Sequence, residues 1–154
     1  MNPVMIIVPF FLLPGKKELQ SADIVKITVP EIVVHAGESS VIKIKIEIKK
    51  GYHIQANKVN DEYLVPTILA ISDYKTIKPG IPQYPRSKKI QLEDTDIFLD
   101  IYDGVFEIKI PVTVAKEIPK GKHRIKGTLQ YQACDNKICL FPKTIAFSFT
   151  IKVI

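Results

Sequence analysis

Apolar and polar residues alternate along most of this chain. Ile42, Ile44, Ile46 and Ile48 are separated by Lys43, Lys45 and Glu47, so an extended backbone there has one apolar and one charged face. The same period of two recurs in Phe106, Ile108 and Ile110 against Glu107 and Lys109. It recurs in Ile125, Leu129 and Tyr131 against Lys126, Thr128 and Gln130, and in Ile145, Phe147, Phe149, Ile151 and Val153 against Ser148, Thr150 and Lys152. Shorter runs at 24–29, 32–35, 52–55 and 67–71 also predict strands. Breakers lie between them, among them Ala36-Gly37-Glu38-Ser39, Lys50-Gly51, Lys78-Pro79-Gly80, Asp103-Gly104 and Pro119-Lys120-Gly121. No stretch longer than about ten residues shows capped helical periodicity. Roughly seven to nine short strands, each with one wet face, predict an all-β, immunoglobulin-like antiparallel β-sandwich. The stretch from Asp73 to Asp100 is the least regular and predicts a long functional loop.

Composition adds little to that picture and removes some alternatives. With 154 residues, 46% hydrophobic and 25% charged, the chain has the make-up of one folded domain. The net charge of +6 favours an acidic partner or an anionic surface. Nucleic-acid binding is not expected, because the lysines alternate with apolar residues along strands instead of clustering into a stripe with stacking aromatics.

The N-terminus stands apart. Met1 to Leu13 is uncharged and almost wholly apolar, followed by Pro14-Gly15-Lys16-Lys17. It is too short to cross a bilayer as a helix, which takes about 20 residues, but it has the length of a signal-peptide core. Residues 1–22 are therefore expected to be an export or tethering segment and 23–154 the folded domain. That places the domain outside the cytoplasm, where disulfides persist.

The chemistry-bearing residues are Cys134 and Cys139, the only two cysteines, inside Tyr131-Gln132-Ala133-Cys134-Asp135-Asn136-Lys137-Ile138-Cys139-Leu140-Phe141-Pro142. Three readings compete. A pair so close in sequence can open and close one disulfide without moving the rest of the fold, which suits thiol–disulfide exchange through mixed disulfides. As a staple, a loop of about six residues contributes only about 2 kcal/mol in the chain-entropy model, and a domain of this size does not need it. A zinc site lacks ligands, since His35, His53 and His123 have no metal-binding spacing. Lys137 favours a thiolate nearby and Asp135 opposes it. No cofactor is expected, and no Ser-His-Asp arrangement or phosphate-binding glycine motif stands out. Asp94, Asp96 and Asp100 form an acidic loop that reads as solvated and not as a calcium site.

The Tyr131-Gln132-Ala133-Cys134 element, a short polar turn, Cys139 and Pro142 resemble the signature of the periplasmic N-terminal domain of the thiol:disulfide interchange protein DsbD. Val34-His35-Ala36-Gly37-Glu38, the 42–48 strand, Gly51-Tyr52-His53 and the 105–112 segment follow in the same order, so the resemblance runs from about Ile24 to Ile154. It implies a sandwich that relays electrons from an integral-membrane thiol–disulfide transporter to thioredoxin-like clients, either disulfide isomerases or cytochrome c maturation factors. It also implies that Cys139 forms the mixed disulfide and Cys134 resolves it. A cap loop at Asp94 to Tyr102 would shield the pair, with Phe98 as the covering aromatic and Tyr52, His53 and Tyr131 lining the pocket. The chain departs from the family in having one residue fewer between the cysteines and Leu140-Phe141-Pro142 in place of a double proline. It also ends at Ile154, so the expected electron donor is a separate polypeptide or the chain is a fragment. Such a domain is a courier more than an enzyme with its own substrate pocket. The reading from a different class is an extracytoplasmic binding or adhesion sandwich with a short structural disulfide.

Overall fold

The computed structural model describes residues 24–154. The expected export or tethering segment, residues 1–22, lies outside them. Twelve strands follow in order among the described residues: β1 (Val25–Thr28), β2 (Ile32–Val34), β3 (Ser39–Ile48), β4 (His53–Gln55), β5 (Ile68–Ile71), β6 (Ile77–Pro79), β7 (Lys88–Gln91), β8 (Phe98–Tyr102), β9 (Val105–Val114), β10 (Gly121–Tyr131), β11 (Ala133–Cys134) and β12 (Lys143–Val153). No helix occurs among them, and so none is long and apolar enough to cross a membrane.

Two four-stranded sheets make the sandwich, in the orders β1-β3-β9-β6 and β2-β12-β10-β5. The alternation read from the sequence is the alternation of burial. Ile42, Ile44 and Ile46 of β3 and Ile108 and Ile110 of β9 have no exposed surface, while the lysines between them face solvent. Ile125, Leu129 and Tyr131 of β10 and Phe149, Ile151 and Val153 of β12 join the same core cluster. Burying that apolar area is the main force holding the two sheets together.

The sheets are not wholly antiparallel. β2 runs parallel to β12, whereas β1, a few residues earlier, pairs antiparallel with β3 of the other sheet. Pro30 lies between β1 and β2, and a residue without an N–H cannot continue a ladder, so the chain changes sheet there.

A third sheet, β11-β4-β8-β7, holds the functional end. It is joined to the second main sheet through β10 and β12, which flank β11, and to the first through two turns. The Lys49-to-Tyr52 turn leads from β3 into β4, and the Asp103-Gly104 turn leads from β8 into β9. Gly51 and Gly104 sit at φ 88° and 62°, left-handed values at which most side chains are strained. The stretch expected to be one long loop instead contains β6, β7 and β8. These strands are short, and β7 is an edge strand whose Lys88 and Lys89 guard it against pairing with other chains.

Candidate functional site

β10 ends at Tyr131, the chain crosses Gln132, and β11 begins in the third sheet. Gln132 secures the crossing. Its side-chain Oε1 accepts the Val65 N–H at 2.9 Å, and its side-chain Nε2 donates to the Leu140 carbonyl at 3.4 Å.

Cys134 and Cys139 are joined by a disulfide and face one another as a bridge across a tight turn. The Asp135 N–H donates to the Ile138 carbonyl at 3.0 Å, and the Leu140 N–H to the Ala133 carbonyl at 2.8 Å. These bonds flank the cysteines, which makes them a non-hydrogen-bonded antiparallel pair, the closer of the two kinds. Their Cα atoms are accordingly 4.0 Å apart, nearer than the roughly 5.5–6 Å most common for disulfides.

Asp135 shapes the turn. One carboxylate oxygen accepts the backbone N–H groups of Lys137 and Ile138 at 2.7 and 2.8 Å. Those two bonds, with the nearby Lys137 and His53 as lesser causes, hold its pKa below the ordinary 3.8. Its charge is thus committed to the turn backbone as well as to the sulfurs' surroundings.

The two cysteines differ in access. Cys134 has no exposed surface, whereas Cys139 is exposed. Next to Cys139, Ile138 is 60% and Phe141 93% exposed, an apolar rim that the core does not use.

Behind Cys134 lies β4, with Cys134 opposite His53 and Ala133 opposite Ile54. Residues directly opposite share a face, so Ile54 and Ala133 point to the core while His53, Gln55 and Cys134 share the other side. The Gln55 amide nitrogen donates to Cys134 Sγ at 3.3 Å and lies 3.9 Å from Cys139 Sγ. The Gln55 backbone is fixed at both ends, its N–H donating to the Gln132 carbonyl and its carbonyl accepting the Thr67 hydroxyl. Gln55 was not expected from the sequence. The only signal was its place two residues after His53 on a short strand, and a lone glutamine there carries no chemical signature.

The sequence-derived pocket residues separate. His53 is buried beside the disulfide strand. Tyr131 is wholly buried in the main core cluster and Tyr52 packs against it. Phe98 stands on β8 opposite Gln91, about half exposed. A cleft of about 240 Å³ separates the β7–β8 hairpin from the cysteine turn, lined by His53, Ile90, Gln91, Leu92, Glu93 and Asn136. Leu92, half-buried, is the apolar residue of the 92–97 loop that borders this cleft; Phe98, the expected covering aromatic, is not among the residues that line it. Among the described residues no group of His, Cys, Asp and Glu is arranged to hold a metal ion.

The His53 Nε2 is buried without a hydrogen-bond partner. Burial pushes its pKa below 6.5, opposed by the negative charges of Asp103 and Asp135. The unfolded chain therefore binds a proton more readily than the folded one. His53's contribution to stability is complete above about pH 6.5 and is lost as pH falls through the lower folded value. The urea midpoint is expected to drop between about pH 7 and pH 5, and His53→Gln should flatten that part of the curve. A midpoint that rises over the same interval excludes a neutral buried imidazole.

An immunoglobulin-like sandwich that presents a disulfide between one exposed and one buried cysteine, on a short turn outside its core, has the parts of a thiol–disulfide exchange domain. Residues 22–151 match the family described as thiol:disulfide interchange protein DsbD, N-terminal, and the chain belongs to that family. No curated protein matches the chain. Among solved structures it is similar to the reduced DsbD N-terminal domain of Neisseria meningitidis, at 16% identity over 88% of this chain and 91% of that one, with a TM-score of 0.49. It is also similar to the N-terminal periplasmic domain of ScsB from Proteus mirabilis, at 15% identity and a TM-score of 0.52, over 83% of this chain but only 45% of that one. The seventh ScaB type I cohesin of Pseudobacteroides cellulosolvens aligns at 8% identity and a TM-score of 0.50, over 84% of this chain and 92% of that one. At such identities the likeness to the ScsB domain and the cohesin speaks to the fold alone. Because a cohesin shares it, function has to be argued from the cysteine turn and the family match.

Proposed function

We propose that this domain relays electrons outside the cytoplasm, accepting them from an integral-membrane thiol–disulfide transporter and passing them to thioredoxin-like proteins. The observation that carries the reading is the difference in exposure between the two cysteines. A partner thiolate can approach Cys139 and cannot approach the wholly buried Cys134. In the reduced domain the Cys139 thiolate attacks a client disulfide, forms a mixed disulfide and releases one client thiolate. Cys134 then attacks Cys139 Sγ, closes the internal disulfide and expels the second client sulfur, so two electrons leave with the client. The donor returns them by the reverse sequence.

The cysteine turn has to lie inside the interface for this transfer, and Ile138 and Phe141 flank Cys139 there. Exposed apolar and aromatic residues beside a reacting atom suit a partner with an apolar rim around its own cysteines. The β7–β8 hairpin stands over the other side of the turn, across the cleft bordered by Leu92 and Glu93, as a cap that limits approach to the sulfurs. An extracytoplasmic location accords with the family, and with the apolar residues 1–22 acting as an export or tethering segment.

Redox titration of the domain against a thiol buffer tests the reading. The couple is expected well above about −300 mV, in the range of labile exchanging disulfides. A potential below about −300 mV makes the bond a structural staple and leaves a binding or adhesion sandwich.

A further inference from the structure

We infer that Gln55 is a catalytic residue that stabilises the Cys134 sulfur as the leaving group when the disulfide opens. This rests on the exchange reading above and concerns how the buried half of the pair carries charge.

When a donor thiolate attacks Cys139 Sγ, a bond forms between the donor sulfur and Cys139, and the Cys139–Cys134 bond breaks. Its electron pair remains on Cys134 Sγ as a thiolate. A second donor thiolate then attacks the donor sulfur of the mixed disulfide, freeing Cys139 as a thiolate and leaving the donor oxidised. Cys134 has no exposed surface, so water cannot solvate the charge that develops there. An unsolvated buried charge is costly unless a donor meets it. The Gln55 amide N–H already does so at 3.3 Å, before any charge has formed. Its 3.9 Å approach to Cys139 Sγ puts the same amide beside both ends of the breaking bond.

The orientation of the amide supports a role beyond packing. Gln55 has no exposed surface, and its Oε1 is buried without a hydrogen-bond partner. A buried amide that leaves its oxygen unpaired carries a free-energy penalty, and unpaired buried groups of this kind call for a functional reason. Here the nitrogen end faces the sulfurs. Preorganised donors aimed at a site of developing charge work in the same way as an oxyanion hole.

The experiment measures the rate of disulfide reduction of the full chain by dithiothreitol, expressed per dithiothreitol thiolate, with thermal unfolding recorded alongside. Gln55→Met keeps the side chain's length and removes the donor; Gln55→Glu puts a like charge beside the thiolate. His53, Asp135 and Lys137 are unchanged in both, so their charges are common to all the proteins compared. Gln55→Met is expected to slow reduction by on the order of tenfold or more, the factor attached to a hydrogen bond with a charged group. Gln55→Glu should be slower still near neutral pH and recover as the pH falls and its carboxyl group regains a proton to donate. Rates for Gln55→Met within about twofold of the unaltered protein overturn the proposal. So does a Gln55→Glu variant that is reduced faster than the unaltered protein near neutral pH. If Gln55→Met does not fold, the rate and pH dependence of Gln55→Glu decide. An unaltered protein that dithiothreitol cannot reduce tells against the exchange reading itself.

Discussion

Cys134→Ala is expected to accumulate a mixed disulfide with a thioredoxin-like partner, whereas Cys139→Ala forms none and loses exchange altogether. With Cys134 gone, Cys139 still reaches solvent and can attack an incoming disulfide, but no second thiol remains to release the partner. With Cys139 gone, the surviving sulfur lies wholly buried behind the turn and cannot be approached. Non-reducing gel electrophoresis after mixing with an oxidised thioredoxin-like protein reads both outcomes. A partner trapped only by Cys139→Ala reverses the assignment of roles. If neither variant traps a partner, the relay is excluded.

Ile54→Ala is expected to destabilise the domain by roughly 2–5 kcal/mol, a large part of the roughly 5–15 kcal/mol that holds a typical domain folded. Ile54 has no exposed surface and packs into the main core from the middle of β4. That strand is three residues long and carries His53 and Gln55 on its other side, so one apolar side chain anchors the backing of both sulfurs. Loss of the anchor should therefore speed hydrogen exchange at the β4 and β11 amides more than at those of β3 and β9. Urea unfolding gives the first quantity and amide exchange the second. A loss below about 1 kcal/mol with an unchanged denaturant slope shows that β4 does not depend on this contact.

The ion pairs on the third sheet matter less. Lys88–Asp103 and Lys89–Asp100 join exposed or partly exposed side chains, and pairs of that kind contribute about 0–1 kcal/mol each. The cap hairpin depends more on its backbone ladder and on the closed 92–97 turn, where the Leu92 N–H donates to the Ile97 carbonyl at 2.9 Å.

The sandwich was legible because its long strands repeat every two residues. Ile42 to Ile48 and Ile145 to Val153 could bury one face only as extended chain, and the structure buries those faces. β6 and β7 fall inside the expected loop because short strands at a sheet edge carry too few apolar positions to show a period. Lys88-Lys89-Ile90-Gln91 has one apolar residue, and Ile77-Lys78-Pro79 ends in a proline. β4 is the short run expected at 52–55, but all three of its residues are buried, so no wet face marks which of its polar side chains meets the sulfurs.

By itself the sequence determined the fold class and the presence of a short-range cysteine pair, because strand periodicity and cysteine spacing are local properties. Which cysteine is exposed, which amide backs the other, and that Leu92 rather than Phe98 borders the cleft were decided only in three dimensions. Each of these depends on cross-strand register between segments some 40 to 80 residues apart, such as Gln55 against Cys134 at a separation of 79. Register is set by how the whole apolar pattern settles into the two sheets, and no local run of residues encodes it.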